Sequence, residues 1–360
     1  MKVKTILLVL NHRCNLRCDY CYLRELGYPS RKISFGKIKK IIGYAYQVWL
    51  KKDEILNLFF FGGEPLLEFG LIKKTVSFCQ KKYKDNRIQY TIDTNGTLFS
   101  KEIISFLRKN KFQINLSLDG VKKGQDRHRK FANGKGTFSQ IMKYLPLLID
   151  YSKFKINLVV SPDNVENLNK NVEFLADKGI RLIKIMPNLY PSPYNTWTKS
   201  LFSEFRKQMF KLIDKYFFWK KEGKQISFFN LTSKNKDKVK ETCVSNFRKN
   251  ITMMPNGDIY VCGFCYFNKK ERKDFLVGNI NSSIFLEKFK RYSYVCSNLE
   301  KKKIFKGKTI KELANSFLIC FLIGIKNEKN RDSYVRFHKK LLEVVLEEIY
   351  SYYKKQAQKL

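Results

Sequence analysis

The sequence predicts an α/β fold, an open and partial (β/α)6 barrel of the TIM-like kind, followed by a small cysteine-containing extension and terminal helices. Short apolar runs alternate with amphipathic stretches from the N-terminus to about residue 220. The runs are rich in β-branched and aromatic residues and nearly continuous in hydrophobicity, as strands buried on both faces are. Six strand–helix units in order imply a parallel sheet with right-handed crossovers, which is two units short of a closed barrel.

The elements follow one another in a regular order along the chain. The predicted strands are KTILLVL (4–10), LNLFFF (56–61), RIQYTID (87–93), FQINLSL (112–118), KINLVV (155–160) and RLIKIMP (181–187). The helical patterns cover 36–50, 66–83, 100–110, 137–150, 164–178 and 199–220.

The chain changes character after the sixth unit. A polar, lysine-rich segment at 221–242 is typical of a linker, and the turn signal MPNGD (254–258) then lies between two β-like stretches. Helices are predicted near 309–325 and 331–356. We therefore expect three parts, which are a barrel in 1–220, a cysteine-containing domain in 221–305 and a helical segment in 306–360.

The net charge of the chain is strongly positive, with 71 Lys and Arg against 32 Asp and Glu, or +39. Such a field attracts polyanions, acidic peptides or anionic lipid surfaces. The chain is also rich in Lys, Ile, Asn, Phe and Tyr together, as an AT-biased genome would produce, so compositional drift is the favoured explanation and an acidic partner the alternative. No apolar run reaches the roughly 18 residues of a membrane span, and no signal-peptide cleavage site follows the first run. We expect a cytoplasmic protein without a membrane span.

Three of the nine cysteines lie in one loop directly after the first predicted strand. Cys14, Cys18 and Cys21 have the spacing C-x3-C-x2-C. Three thiolates can hold three irons of a [4Fe–4S] cube and leave the fourth iron open. A structural zinc site is the alternative, but it takes four protein ligands, usually in two pairs, and only His12 lies near enough in sequence to be added. The odd number of thiols disfavours disulfide bonding.

This loop, with Tyr20 just before the third cysteine, resembles the signature of the radical S-adenosylmethionine (SAM) superfamily. Asp126 and Arg129 match part of a further family stretch, although Gln125 stands where many members have histidine. Other motifs that agree with the resemblance are GGEP at 62–65, TNGT at 94–97, SLDG at 117–120 and GKGTF at 134–138.

The resemblance implies a [4Fe–4S] cluster on the three cysteines, whose open iron binds the amino and carboxylate groups of SAM. An electron from the reduced cluster then splits SAM into methionine and a 5′-deoxyadenosyl radical, which abstracts a hydrogen from the substrate. Glu64 is expected to take the methionine ammonium, and Arg129 is a candidate for the SAM carboxylate, with an ordinary solvated arginine as the alternative. The full set of expected SAM-site residues is Tyr20, Gly62, Gly63, Glu64, Ser117, Asp119 and Arg129.

A second group of cysteines lies in the C-terminal third of the chain. Cys243, Gly257 and Cys262 fit the opening of the SPASM extension, which many peptide- and protein-modifying members of the superfamily carry. The later cysteines of a full SPASM domain are missing, so two auxiliary clusters lack ligands. We expect a SPASM/Twitch-like domain with one auxiliary [4Fe–4S] cluster, and a degenerate domain with zinc or no metal is the alternative. The expected ligands are Cys243, Cys262, Cys265 and, as the candidate fourth, Cys296.

The resemblance implies an enzyme that modifies a ribosomally made peptide by thioether or carbon–carbon crosslinking or by epimerisation. Sulfatase maturation is an alternative, weakened because members with that activity usually place Asp where this chain has Gly263. Radical chemistry on a small molecule or RNA, and a non-catalytic iron–sulfur or zinc scaffold, also stay open.

The expected partners are a precursor peptide, whose acidic leader would suit the basic surplus, and an electron donor such as flavodoxin or ferredoxin. Because the first strand begins at the N-terminus, leader binding is expected at the barrel rim, at the C-terminal helices or on a separate protein. The remaining cysteines, Cys79 and Cys320, lie in apolar surroundings and are expected to be packed core thiols.

Overall fold

The computed structural model describes residues 2–21, 23, 30–84, 87–188, 196–228, 250–260, 276–282, 348–349, 351–352, 355 and 358. Within these ranges, one sheet has the strand order β10-β9-β8-β1-β2-β3-β4-β5-β6-β7. Neighbours from β8 and β1 through β7 are parallel, whereas β8, β9 and β10 pair in an antiparallel way. The strands are β1 (Lys2–Val9), β2 (Glu54–Phe61), β3 (Ile88–Thr94), β4 (Gln113–Ser117), β5 (Phe154–Val160), β6 (Leu182–Pro187), β7 (Ser227–Phe228), β8 (Asn250–Met253), β9 (Asp258–Tyr260) and β10 (Leu276–Asn279).

Helices connect the successive parallel strands, which confirms the predicted α/β fold. Ser100 and Thr198 cap two of them by accepting hydrogen bonds from the backbone N–H groups of Ile103 and Leu201. The helices are α1 (Phe35–Tyr44), α2 (Phe69–Lys82), α3 (Lys101–Lys109), α4 (Lys122–His128), α5 (Phe138–Met142), α6 (Leu168–Asp177) and α7 (Lys199–Lys221). Short 3-10 turns cover Pro65–Glu68, Leu145–Leu147 and Pro162–Asn167, and a π-helical turn covers Ala45–Trp49.

Side chains of the parallel strands alternate between two faces of the sheet. One face packs on the helices, because Tyr90 of β3 contacts Cys79 of α2 through a side-chain hydrogen bond. The buried apolar side chains at the same alternation include Ile92, Ile114, Leu116, Ile156, Leu158, Ile183 and Ile185. The opposite face is called the inner face below. Its residues on β2 to β6 include Asn57, Thr91, Asp93, Asn115, Ser117, Lys155, Asn157 and Lys184.

The structure differs from the sequence expectations in the connections. The helix expected over 137–150 is two pieces, α5 and the turn Leu145–Leu147, because Pro146 cannot donate the backbone hydrogen bond that an uninterrupted helix needs. The short helix α4 was not predicted. The start of the expected linker instead contains β7, which adds a strand beside β6.

The C-terminal third joins the sheet through β1. Residues Thr5 to Leu8 of β1 pair with β8, and the β8–β9 turn contains Gly257 at φ +99°. The β-like stretches on both sides of MPNGD are therefore confirmed. The boundaries at 220 and 305 stay predictions, and the helix expected at 309–325 lies outside the described residues. No helix in the described ranges has the length and apolar character of a membrane span.

Candidate active site at the carboxyl edge of the sheet

The cysteine loop after β1 is attached to two other segments. Leu10 N–H donates to the carbonyl of Phe61 at the end of β2, at 2.8 Å. On its other side, the buried Leu16 forms a β-bridge with Phe131, and Arg17 N–H donates to the carbonyl of Lys130 at 2.7 Å. These contacts hold the three thiols at the carboxyl edge of the parallel strands, where barrel enzymes carry their functional loops.

In the described part of the chain, the three thiols of this loop form no disulfide bond and are half-buried. Cys14 Sγ accepts weak hydrogen bonds from Leu16 N–H at 3.4 Å and from Asn95 Nδ2 at 3.7 Å. Burial and, to a smaller extent, the charges of the neighbouring thiols, including Cys21, raise the pKa of Cys14 and of Cys18 to about 12. Three thiolates so close together therefore need a compensating cation, which iron would supply.

The arrangement of the thiols bears on the kind of metal group. Within the described residues, no three His, Cys, Asp or Glu side chains converge as they would around one metal ion. Such convergence is what a mononuclear zinc site requires. A [4Fe–4S] cube binds each thiolate to a different iron, so a cluster does not require the three sulfurs to converge on one point.

Gly62 and Gly63 allow the cysteine loop to approach the end of β2. A Cβ on Gly63 would lie 2.1 Å from the carbonyl oxygen of Arg13, and one on Gly62 would lie 2.5 Å from that of Asn11. Gly62 also has φ +150°, which L-residues rarely adopt. Gly63 N–H donates to the Asn11 carbonyl at 3.1 Å, and Glu64 N–H donates to the Arg13 carbonyl at 2.9 Å. The glycine pair thus sets the position of the backbone that carries the thiols.

Glu64 is a fully buried carboxylate with donors on both oxygens. Oε1 accepts from Leu66 N–H at 3.0 Å and Thr94 Oγ1 at 2.7 Å, and Oε2 accepts from Asn95 N–H at 2.8 Å. Burial raises the pKa of Glu64 to about 7. No lysine or arginine of the described chain forms an ion pair with it, so Oε2 keeps acceptor capacity for a ligand cation. An ammonium group is therefore the kind of partner that this buried carboxylate fits.

Asp119 is the centre of a buried network that joins three segments. Its Oδ1 accepts from Val159 N–H at 2.9 Å and from Arg129 at 3.1 Å, and its Oδ2 accepts from Arg129 Nε at 2.8 Å and Tyr20 OH at 2.5 Å. The Arg129 guanidinium also lies over the Tyr20 ring at 5.2 Å, and its charge lowers the pKa of Cys18 against the larger effect of burial. The network therefore fixes the cysteine loop relative to β4 and β5.

The expected SAM-site residues thus divide into two groups. Glu64 keeps capacity to bind a ligand, whereas Asp119 has its acceptor positions filled by the chain itself. Arg129 uses two of its five donors on Asp119, so only its remaining N–H groups are left for a SAM carboxylate. Ser117 lies on the inner face beside Asn157. These ligand assignments remain predictions.

Asn95 lies in the TNGT motif and is not among the expected site residues, but the structure gives it several contacts. Its Nδ2 reaches Cys14 Sγ and also donates to Asn15 Oδ1 at 3.0 Å. Its Oδ1 accepts from the Thr97 hydroxyl at 2.7 Å, which in turn accepts from Asn15 Nδ2 at 2.8 Å. Its place directly after a predicted strand was the signal that could have identified it. The cysteines expected to hold an auxiliary cluster lie outside the described residues.

Known proteins resemble this chain over most of its length. Residues 8–175 match the model of the Radical SAM superfamily. The uncharacterized protein MJ0907 of Methanocaldococcus jannaschii is 30% identical over 72% of this chain and 85% of its own length. A cysteine-type anaerobic sulfatase-maturating enzyme of Clostridium novyi is 27% identical over 77% of this chain and 76% of the enzyme.

Two further similarities cover a shorter segment and the whole fold. The antilisterial bacteriocin subtilosin biosynthesis protein AlbA of Bacillus subtilis is 29% identical over 48% of this chain and 36% of AlbA. The solved structure of anSMEcpe with bound AdoMet shares the fold, with a TM-score of 0.76 at 20% identity over 99% of this chain and 98% of that one. This chain therefore belongs to the radical SAM superfamily, whose members use a [4Fe–4S] cluster and SAM, and is an enzyme of the maturase type.

Proposed function

We propose that the chain holds a [4Fe–4S] cluster on Cys14, Cys18 and Cys21, binds SAM beside Glu64 and modifies a ribosomally made peptide. The observation that carries this proposal is that Asn95 contacts both a thiol of the proposed cluster and the carboxylate of the proposed SAM site. Its side chain reaches Cys14 Sγ at 3.7 Å, and its backbone N–H holds the Glu64 carboxylate at 2.8 Å. When bound together, the cluster and SAM supply a 5′-deoxyadenosyl radical that can take a hydrogen atom from a substrate.

The chain's own residues orient these groups. Glu64, which is kept in place by three hydrogen bonds, would pair with the SAM ammonium, and the pairing would favour its ionised form. Asp119, Arg129 and Tyr20 would keep the cysteine loop fixed while the cluster changes charge. Because Asp119 is already saturated with donors, its proposed role is positioning.

Peptide modification is supported by the relatives and by charge. The names of two relatives connect them with bacteriocin biosynthesis and with sulfatase maturation. The net charge of +39 would favour a precursor with an acidic leader. Thioether formation, carbon–carbon crosslinking and epimerisation are the candidate outcomes. A domain at 221–305 with an auxiliary cluster on Cys243, Cys262, Cys265 and Cys296, and a flavodoxin or ferredoxin as electron donor, complete the proposal.

Oxidation of a protein side chain, as in sulfatase maturation, is the second candidate. The observation in its favour is the similarity to the Clostridium novyi enzyme, which extends over 77% of this chain. Gly263, in place of the usual aspartate, argues against it. In crosslinking and in side-chain oxidation, the second electron removed from the substrate would pass to the auxiliary cluster, and the accompanying proton to a base or to water. Epimerisation removes no second electron and would instead need a hydrogen-atom donor that quenches the substrate radical.

The first experiment measures SAM cleavage. The protein is reconstituted with iron and sulfide without oxygen, then given dithionite and SAM, and 5′-deoxyadenosine is quantified by mass spectrometry. We expect product from the wild type and background from Cys14→Ala, because two thiols cannot hold the cluster in the same way. Cys79→Ala should retain activity, because it removes a buried thiol on α2 whose described hydrogen-bond partner is Tyr90.

The proposal fails if iron-loaded wild type forms no 5′-deoxyadenosine, or if Cys14→Ala forms it at the wild-type rate. The two candidate substrates are then separated by mass spectrometry of peptides after turnover. A short peptide encoded beside this gene should change mass if the chain is a peptide maturase. A sulfatase peptide with a central Cys should change instead if the second candidate is right.

A further inference from the structure

A glutamine on α4 connects the two residues of the buried ion pair beside the thiols by a second route. Gln125 is fully buried, and its Oε1 accepts from the backbone N–H of Asp119 at 2.8 Å. Its Nε2 donates to Thr137 Oγ1 at 2.9 Å, and the Thr137 hydroxyl donates to the carbonyl of Arg129 at 3.0 Å. Asp119 and Arg129 are therefore joined directly through their side chains and, at their backbones, through the Gln125–Thr137 link.

The direction of each hydrogen bond in this link is fixed. A backbone N–H can only donate and a backbone carbonyl can only accept, so the link begins at a donor on Asp119 and ends at an acceptor on Arg129. The carboxamide of Gln125 supplies the acceptor and the donor that the two ends require. The Thr137 hydroxyl has one hydrogen, which goes to the Arg129 carbonyl because the Gln125 N–H already donates to its oxygen. An apolar side chain at either position would break the link.

The segment that contains Thr137 is held closely against α4. The Asp126 carboxylate accepts from Phe138 N–H at 2.8 Å, directly after Thr137. A Cβ on Gly136 would lie 2.1 Å from Cγ of Asp126, so the backbone before Thr137 approaches α4 as closely as glycine permits. The Thr137 hydroxyl therefore reaches the Arg129 carbonyl from a fixed position.

Breaking the link has a consequence for Arg129. Without the Thr137 hydroxyl, the carbonyl of Arg129 loses its donor and Gln125 Nε2 loses its acceptor, and an unpaired buried polar group costs free energy. The backbone at Arg129 recovers part of this cost by moving until its carbonyl meets another donor or water. Such a movement displaces the guanidinium as well.

The orientation of the Arg129 guanidinium matters because it has two donor edges. Nε and Nη2 donate to the two oxygens of Asp119. The other edge, formed by Nη1 and the second N–H of Nη2, has the two-point geometry that matches a carboxylate. The guanidinium also lies over the Tyr20 ring, and its charge opposes the larger effect of burial on the pKa of Cys18. A carboxylate bound to the second edge would therefore lie beside the cysteine loop.

We propose that Gln125 and Thr137 are positioning residues for SAM binding. Their link holds the Arg129 backbone while Asp119 holds the guanidinium, so the second donor edge keeps one orientation for the SAM carboxylate. Neither Gln125 nor Thr137 has to touch SAM in this arrangement. The inference rests on the proposed SAM site and on the expected contact of Arg129 with the SAM carboxylate, and it adds two residues that determine the affinity.

The test separates a change in SAM affinity from a loss of folded enzyme. Reconstituted wild type and variants are reduced with dithionite, and 5′-deoxyadenosine formation is measured over a range of SAM concentrations. Thr137→Val removes the hydroxyl and nearly keeps the shape of the side chain. We expect its KM for SAM to rise about tenfold, which is about 1.4 kcal/mol of lost binding, while kcat is largely retained. A defect of folding would instead lower kcat at an unchanged KM, because the remaining intact molecules bind SAM normally.

Binding and matched variants support the assignment. Equilibrium dialysis of the unreduced enzyme with labelled SAM should show the same change in the dissociation constant. Gln125→Met breaks the link at its other residue and should raise KM in the same way, whereas Thr137→Ser keeps the hydroxyl and should bind SAM like the wild type. Thr75→Val removes the hydroxyl of another buried threonine, which donates to the Leu71 carbonyl within α2 at 2.8 Å, and should leave KM unchanged.

The inference is overturned if folded Thr137→Val or folded Gln125→Met binds SAM like the wild type, or if Thr75→Val raises KM as much as they do. If neither Thr137→Val nor Gln125→Met folds, the two side chains serve the fold rather than SAM binding, and the inference is overturned as well. Unchanged variants of a wild type that binds and cleaves SAM leave the proposed function standing. A wild type that binds no SAM overturns both.

Discussion

At the carboxyl edge of the sheet, Asp119 accepts four hydrogen bonds from its own chain, whereas on the inner face Asn115 and Asn157 each have an amide oxygen without a described partner. Both regions contain buried charge. At the edge, an arginine and an aspartate form a two-point pair, and on the inner face two lysines share one aspartate. The edge therefore has the character of a support for the cysteine loop, whereas the inner face keeps buried polar atoms without a described partner.

The largest expected effect on stability comes from weakening the buried pair of Asp119 and Arg129. Asp119→Asn leaves Arg129 as a buried cation with a weakened partner, so we expect a loss of about 3–5 kcal/mol in the free energy of unfolding. Urea unfolding of the reconstituted protein measures it. The loop should also hold its cluster less well, so iron content per chain should fall.

A second arginine–aspartate pair with two hydrogen bonds serves as the control. Arg108 donates to both oxygens of Asp150 at 2.8 and 2.7 Å, but this pair is exposed. Asp150→Asn should therefore change stability far less than Asp119→Asn, because solvent screens exposed pairs. Equal losses in the two variants would contradict the expectation that the buried pair contributes more to stability than the exposed pair.

The next prediction concerns how the pKa of Lys184 on the inner face makes stability depend on pH. The pKa of Lys184 is about 8 in the folded chain and about 10.4 for an unfolded lysine. Between these values the unfolded chain binds more protons, so the wild type gains stability as pH rises. Lys184→Met lacks this gain. Its stability relative to the wild type should therefore decline by up to about 3 kcal/mol between pH 7 and 10.5.

Urea unfolding across this pH range checks the prediction, with Lys109→Met as the matched variant. Because Lys109 is exposed, its variant should follow the wild-type curve. If the difference in stability between Lys184→Met and the wild type does not change with pH, the fold does not lower the pKa of Lys184. The charges of Asp93 and Lys155, two described groups that act on Lys184, remain in the variant.

The smallest effect concerns how closely the loop approaches β2. Gly63→Ala brings a methyl group to within 2.1 Å of the Arg13 carbonyl unless the backbone shifts. We expect a loss of about 1–3 kcal/mol, together with reduced iron content. Gly70→Ala in α2 meets nothing within 4 Å and should be neutral or slightly stabilising. Full iron content in Gly63→Ala would show that the close approach is dispensable.

The sequence predicted the parts of this molecule that depend on local pattern. Strand order follows from the alternation of buried runs, and Cys14 and Glu64 lie directly after β1 and β2 as expected. The break at Pro146 was also readable, since proline opposes a continuous helix. The short helix α4 carries too little pattern to be recognised.

Contacts between distant segments were beyond that pattern. The pairing of Asp119 with Arg129 depends on how the chain returns after α4, which no local periodicity encodes. Lys155 and Lys184 lie in predicted strands, where each is a charged residue at an alternate position of a mostly apolar run. That signal was present, but only the register showed that the two lysines share a face with Asp93.

The bridge between Leu16 and Phe131 has a consequence for how the protein is made. The three thiols are translated before β4, whereas the segment around Phe131 that completes their loop is translated only after β4. Until then, the loop has no backbone partner on that side. The iron-binding conformation is therefore a late product of synthesis, and metal assembly on the nascent chain must wait until most of the parallel strands exist.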